Sequence, residues 1–307
     1  MTLRVTFLGT SAAIPTTGRN PSGLMVNREG DLLLFDVGEG TQRQMMRFGT
    51  GFGVSNVFIT HLHGDHVFGL PGLLQTWEFT DRTEPLAVHV PAGTADRLRT
   101  VVFALDGRPS YPISVIEHEP GAIAHEGDGY VVRTVETAHR TRSIGYVLAE
   151  DDRKGRFDRE RAESLGVPVG PKFSRLHEGN SVELEDGAVV EPEQVVGPPR
   201  PGRTFVYTGD TRPSAAVVDA AIDADLLVHD ATFTAERADR ARDTAHSTAR
   251  DAGQIADRAG VRHLVLTHIS SRYPDAGDHA AEARAAFSGT VTVAEDGLEL
   301  DVPYPDA

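Results

Sequence analysis

The stretch Thr60-His61-Leu62-His63-Gly64-Asp65-His66, directly after the apolar run Val57-Phe58-Ile59, decides how the rest of the chain is read. Four groups able to bind a metal fall within six residues, at the end of what reads as a short buried strand. Imidazole and carboxylate together suit zinc and similar divalent ions. In extended chain, residues two apart point the same way, so His61 and His63 can close on one ion. Gly64 lets the chain turn, which aims Asp65 and His66 at a second ion nearby. The bland reading is a hydrated histidine-rich loop, but imidazoles clustered at this spacing need partners to offset lost hydration.

Working outward, ligand-type residues recur at the ends of other apolar runs. Tyr130 to Thr137 leads into His139, Thr204 to Thr208 into Gly209-Asp210, and His263 to Thr267 into His268. Sheets containing parallel strands gather their sites at carboxyl ends. Together these residues supply seven ligands, enough for two ions with Asp210 bridging. Asp36 ends the apolar run Leu32 to Phe35 and is either a turn former or a group that orients a metal-bound histidine. His246 sits in Ala245-His246-Ser247-Thr248-Ala249, which reads as the opening of a helix running to about Ala259, after another across Ala235 to Arg242. A helix start disfavours a protonated imidazole unless a carboxylate lies close, and Asp230 is the candidate.

Elsewhere the pattern predicts strands over 3–8, 24–26, 86–90, 113–118 and 226–233, with helices from Pro71 and over 94–103. Ser11 to Ser22 reads as a loop by its Pro, Gly and Asn content. Between residues 150 and 203 the character changes. Arg153, Lys154, Arg156, Arg159, Arg161, Lys172 and Arg175 crowd a segment that also holds Gly166-Val167-Pro168-Val169-Gly170-Pro171, with acidic residues interleaved. It reads as a protruding insertion, either functional or a tolerated surface loop.

The 307 residues, 39% of them hydrophobic, suffice for a large core. No apolar run is long enough to span a membrane, and the first residues read as a strand rather than a leader. Without cysteine there are no disulfides, thiolate metal sites or thiol nucleophiles, which suggests an intracellular, cytoplasmic protein. A formal charge of −15 argues against nucleic acid as a partner. It equally suits a salt-rich cytoplasm, where repulsion is screened. Of 30 basic residues only Lys154 and Lys172 are lysine, and arginine grips phosphate bidentately.

With these residues in view, the chain resembles the metallo-β-lactamase superfamily through His61, His63, Asp65, His66, His139, Asp210 and His268. Within it, Phe7-Leu8-Gly9-Thr10, Phe35-Asp36-Val37-Gly38-Glu39-Gly40, Gly69-Leu70-Pro71-Gly72-Leu73, Ala245-His246-Ser247-Thr248 and Ser270-Ser271-Arg272-Tyr273 resemble the short form of ribonuclease Z. That is the zinc-dependent endonuclease that removes the 3′ trailer from precursor tRNA.

The resemblance implies an α/β fold, a four-layer αββα sandwich, in one hydrolase domain over 1–307 with a tRNA-binding arm at about 150–203. It implies a homodimer with two Zn2+ per subunit, or Mn2+ or another divalent ion, acting on precursor tRNA and not on DNA or a membrane. His61, His63 and His139 would hold one ion, Asp65, His66 and His268 the other, with Asp210 between. Asp65 would take the proton of the attacking water, and His246, held by Asp230, would protonate the departing 3′ oxygen. Arg19, Asn20, Gly166, Pro168, Lys172 and Arg272 are the expected substrate contacts. Two alternatives are a superfamily hydrolase of small phosphodiesters, lactones or thioesters, and a non-catalytic zinc-stabilised RNA-binding protein.

Overall fold

A computed structural model describes residues 2–103 and 109–305. Its larger compact unit comprises Met1–Ala149 and Arg203–Pro303. Alternating and continuous apolar runs produce two seven-stranded sheets here. From edge to edge the first contains Glu299–Asp301, Leu3–Gly9, Gly23–Arg28, Asp31–Val37, Val54–Phe58, Leu86–Pro91 and Ile113–His118. The second contains Thr290–Val293, His263–Thr267, Leu226–Asp230, Thr204–Tyr207, Ile144–Glu150, Tyr130–Glu136 and Ile123–Gly127.

Three apolar clusters define four layers. One lies between the sheets and joins Phe35 and Phe58 to Tyr146, Phe205 and Tyr207; Phe35 stacks on Phe58 at 4.8 Å and meets Phe205 edge-on at 5.8 Å. A second packs the first sheet on helices Thr41–Phe48, Leu70–Phe79 and Ala95–Val102. The third packs the other sheet on Ala215–Ala220, Ala249–Ala259 and Gly277–Ala286. The fold is the αββα sandwich, and the cluster between its sheets takes apolar side chains out of water, the dominant stabilising term.

Each sheet has a parallel half that sets the site. Asp31–Val37, Val54–Phe58, Leu86–Pro91 and Ile113–His118 run parallel. So do Thr204–Tyr207, Leu226–Asp230, His263–Thr267 and Thr290–Val293. Most of the ligand-bearing turns leave carboxyl ends of these strands.

Several elements differ from the sequence reading. Ile123–Gly127 and Ile144–Glu150 are strands that it left unassigned. Ser11–Ala12, within the expected loop, pairs in parallel with Ile269–Ser270. The stretch expected as a helix over 235–242 is a short tight turn, Ala235–Arg237, followed by helix Ala238–Thr244. The helix expected to open at Ala245 begins instead at Ala249. Ala245 has φ 62°, which ends the preceding helix, and Thr248 caps the next by accepting from the Asp251 amide in a reciprocal capping box. His246 therefore lies in a linker whose direction is fixed at both ends.

Residues Glu150–Gly202, with Tyr304–Ala307, form the second compact unit. It holds helices Arg159–Ser164 and Pro171–His177 and a ribbon of Val182–Glu183 with Val189–Val190. Ala162, Val167, Leu176, Val182, Val190 and Val195 form its own small core. Paired bridges Arg153 with Arg200 and Phe157 with Val196 close its base. Among the described residues no helix is long and apolar enough to cross a membrane.

Candidate metal centre and active site

All seven expected ligands converge. His61 Nε2 lies 2.9 Å from His63 Nδ1, and His139 Nε2 lies 3.3 Å from the same atom. On the other side His268 Nε2 is 3.3 Å from Asp65 Oδ2, and His66 Nε2 is 3.7 Å from it. Asp210 stands between these groups with its two oxygens divided. Oδ2 is 3.5 Å from His61 Nε2 and 3.8 Å from His139 Nε2, while Oδ1 is 3.4 Å from His66 Nε2 and 3.3 Å from His268 Nε2. One carboxylate thus faces both clusters, one oxygen to each.

The donors fit divalent cations. His66 Nε2 and Asp210 Oδ1 are buried and make no hydrogen bond, which is costly for polar atoms unless a cation takes their lone pairs. Four imidazoles are tied at Nδ1, which leaves Nε2 turned inward: His61 to Thr60 Oγ1 at 3.0 Å, His66 to Asp36 Oδ2 at 2.7 Å, His139 to the Ala245 carbonyl at 2.8 Å and His268 to Thr232 Oγ1 at 2.8 Å. Such outer bonds select the tautomer that presents a lone pair to an ion. Burial pushes the His61 imidazole well below its ordinary range, with neighbouring imidazoles adding to the effect. Burial alone would do the same to His66, but Asp210, Asp36 and Asp65 around it outweigh that and raise it. Asp65 is lowered against its burial by His66 and His268, and Asp210 by His268, His66 and His61. A set of acceptors this dense is a divalent-metal site.

The backbone is strained around the cluster. Asp36, His268, Ala13 and Ala245 have φ of 53°, 61°, 63° and 62°. Each such non-glycine residue costs on the order of 1 kcal/mol or more, so the surroundings enforce it. Each also serves the site: Asp36 and Ala245 hold ligands, His268 is one, and the Ala13 amide donates to Asp65 Oδ2 at 2.8 Å.

Beside the cluster, His246 Nδ1 lies 2.9 Å from Asp230 Oδ2. Burial lowers the affinity of His246 for a proton, but the Asp230 charge and hydrogen bond more than reverse this and push its pKa up to about 9. Asp230 is fully buried and also accepts from the Thr211 and Thr232 amides. The Thr232 hydroxyl lies 2.7 Å from Asp230 Oδ1, 3.2 Å from His246 Nδ1 and 2.8 Å from His268 Nδ1, linking the acid–base pair to a ligand.

The cluster opens into a cavity of about 920 Å³ whose lining includes Ile14, Phe68, Arg140, Arg240, Thr244 and Arg272. Among the described residues that line it, Arg272 is the one expected substrate contact. The Arg19 guanidinium donates to Thr10 Oγ1 and the Ala294 carbonyl, and Asn20 Nδ2 donates to the Glu39 carbonyl at 2.6 Å, so both side chains brace their own loop. Gly166, Pro168 and Lys172 lie in the second unit, where Lys172 Nζ donates to the Glu183 carbonyl at 2.7 Å. Arg140, Arg240, Thr232 and Tyr207 carry no sequence signal that separates them from ordinary surface or strand residues.

Comparisons with known proteins agree with this geometry. Residues 194–269 match the model of the beta-lactamase superfamily domain, and residues 3–105 that of the anti-Pycsar protein Apyc1. A ribonuclease Z of Halorubrum lacusprofundi is 63% identical, covering 100% of this chain and 99% of that protein, and one of Halobacterium salinarum is 61% identical with full coverage of both. The crystal structure of the human short-form tRNase Z superposes with a TM-score of 0.70 at 28% identity, covering 98% of this chain and 99% of that one. Identity at this level over the whole length shows that the chain belongs to the ribonuclease Z family.

Proposed function

We propose that this protein is a metal-dependent endoribonuclease that removes the 3′ trailer from precursor tRNA by hydrolysis after the discriminator nucleotide. The observation that carries this is Asp210, whose two oxygens each face one ligand group while the Asp230–His246 pair stands alongside. A phosphodiester repels nucleophiles and has a poor leaving group. Two bound divalent ions, which we take to be zinc, would supply charge against the phosphate oxygens and acidify water. His61, His63 and His139 would hold one, Asp65, His66 and His268 the other.

Asp65, fixed by the Ala13 amide, takes the proton of the attacking water. His246 gives a proton to the 3′ oxygen, and Asp230 keeps it charged and oriented. Arg272, with Arg140 and Arg240, offers guanidinium groups to phosphates around the cleft. Arg19 and Asn20 act through the loop they brace. Residues 150–202 serve as the tRNA-holding arm, with Gly166, Pro168 and Lys172 at its recognition end. Between those limits there are eight basic and twelve acidic residues, so local arginines rather than net charge do the gripping. The working form is a cytoplasmic homodimer. Met46 and Phe79, 66% and 84% exposed on two helices that pack together, support a further apolar contact.

The test is to incubate metal-analysed protein with a 3′-extended tRNA and map the new end. Cleavage after the discriminator, leaving a 3′-hydroxyl, is expected; hydrolysis confined to small phosphodiesters, lactones or thioesters would refute the assignment.

A further inference from the structure

Large apolar side chains that face water are usually scattered, yet Phe68 and Ile14, 61% and 57% exposed, both line the cleft beside the ligand cluster. The Phe68 ring lies against the backbone of Gly64. A Cβ built on Gly64 would come within 2.2 Å of ring Cε2 and 2.6 Å of Cδ2, so any other residue there would evict the ring. The glycine between His63 and Asp65 is therefore also the seat of Phe68. That seat covers part of the ring, and the remainder is open to the cleft. An aromatic group held this way, one turn from two metal ligands, offers a flat apolar surface beside the scissile position at little entropic cost.

We propose that Phe68 is the stacking platform for the first nucleobase of the trailer. This rests on the reading that the enzyme cuts 3′-extended tRNA. Stacking suits the task because every base has a π face, so trailers of any sequence are held. The side follows from the acid–base assignment. His246 protonates the departing 3′ oxygen, which brings the discriminator nucleoside beside His246 and its neighbour Thr244. Phe68 instead follows Asp65, the group facing the attacking water, and in-line displacement puts that group opposite the departing oxygen. The nucleotide that keeps the phosphate is then the one within reach of Phe68.

The experiment measures kcat and KM for wild type, Phe68→Ala, Phe68→Leu and Phe68→Tyr on an extended tRNA. The same RNA is also used with an abasic residue at the first trailer position or at the discriminator. For the intact RNA, Ala and Leu should raise KM roughly 5- to 100-fold, with a smaller effect on kcat, while Tyr restores it. On the RNA abasic at the first trailer position the four proteins should converge. Equal losses on intact and abasic RNA, full restoration by Leu, or convergence only on the discriminator-abasic RNA would each overturn the proposal. Failure of metal-loaded wild type to cut either RNA would overturn the tRNA reading on which it depends.

Discussion

Replacing Asp36 by Asn tests whether the metal centre is held by the tautomer of His66. The Asp36 carboxylate is fully buried and accepts from His66 Nδ1 at 2.7 Å, Tyr207 Oη at 2.8 Å, the Thr60 amide at 2.8 Å and Thr60 Oγ1 at 2.9 Å. Asparagine keeps one acceptor oxygen for Thr60 but turns an NH2 group toward His66 and Tyr207. The tyrosine hydroxyl can rotate and accept. His66 can relieve the clash only by carrying its proton on Nε2 alone, the atom a cation needs. Without metal the carboxylates around the ring raise its affinity for protons, so Nε2 is already protonated and the ring need only give up the proton on Nδ1. With metal it cannot, so the loss of one buried, charge-assisted hydrogen bond, about 1.5–3 kcal/mol, falls on binding. That corresponds to roughly 10- to 100-fold weaker affinity, the range found when outer partners of ligating histidines are removed.

The assay is competition for zinc with a chromophoric chelator, alongside melting of the metal-free protein and turnover at saturating metal. We expect the dissociation constant to rise by that factor, the metal-free melting temperature to fall less than that of the zinc-loaded protein, and turnover to recover largely with excess metal. Unchanged affinity, or a metal-free protein destabilised as much as the loaded one, would refute the argument.

Other outcomes follow from the same geometry. His246→Ala should retain full metal content, measured by elemental analysis, while single-turnover cleavage of extended tRNA falls about 10²- to 10⁴-fold. Loss of metal would remove His246 from the acid role. Because Arg153 and Arg200 exchange backbone hydrogen bonds of 2.7 and 2.8 Å, residues 154–199 can be replaced by a short turn. KM for tRNA should then rise at least about tenfold with hydrolysis of a nitrophenyl phosphodiester retained; equal loss of both would make the arm structural. His89, bonded to His118 at 3.0 Å and Asn56 at 3.1 Å, has its pKa pushed down to about 3 by burial and by His118. The unfolded chain therefore takes up this proton first, and stability present above about pH 6.5 is lost as pH falls toward 3. Between pH 7 and 4.5, denaturant titrations should show wild type losing on the order of 3 kcal/mol more than His89→Gln; parallel curves would refute the assignment.

Much of the centre was legible in the chain because ligand chemistry and strand periodicity are local. His61 and His63 sit two apart in extended chain, and Asp210 and His268 each follow a short apolar run, so their convergence followed from the rule that such sheets gather sites at strand ends. The pairing of His246 with Asp230 was legible for the same reason: each lies where a strand or helix terminates. The helix expected at Ala245 was misplaced because a left-handed alanine gives no compositional signal, whereas a glycine there would have marked the break.

What only the tertiary structure decided is which partner each ligand has. Tyr207 reaches Asp36 from 171 residues away, and Thr232 joins Asp230, His246 and His268 through one hydroxyl. Nothing in the spacing of a tyrosine or threonine encodes such bonds, since they arise from the register of two sheets packed face to face. The positive φ angles at Asp36 and His268, and the seat that Gly64 gives Phe68, have the same origin. Sequence named the donors because their chemistry is carried by residue type; folding chose their tautomers, strain and neighbours, because those depend on distances that exist only once the sheets are packed.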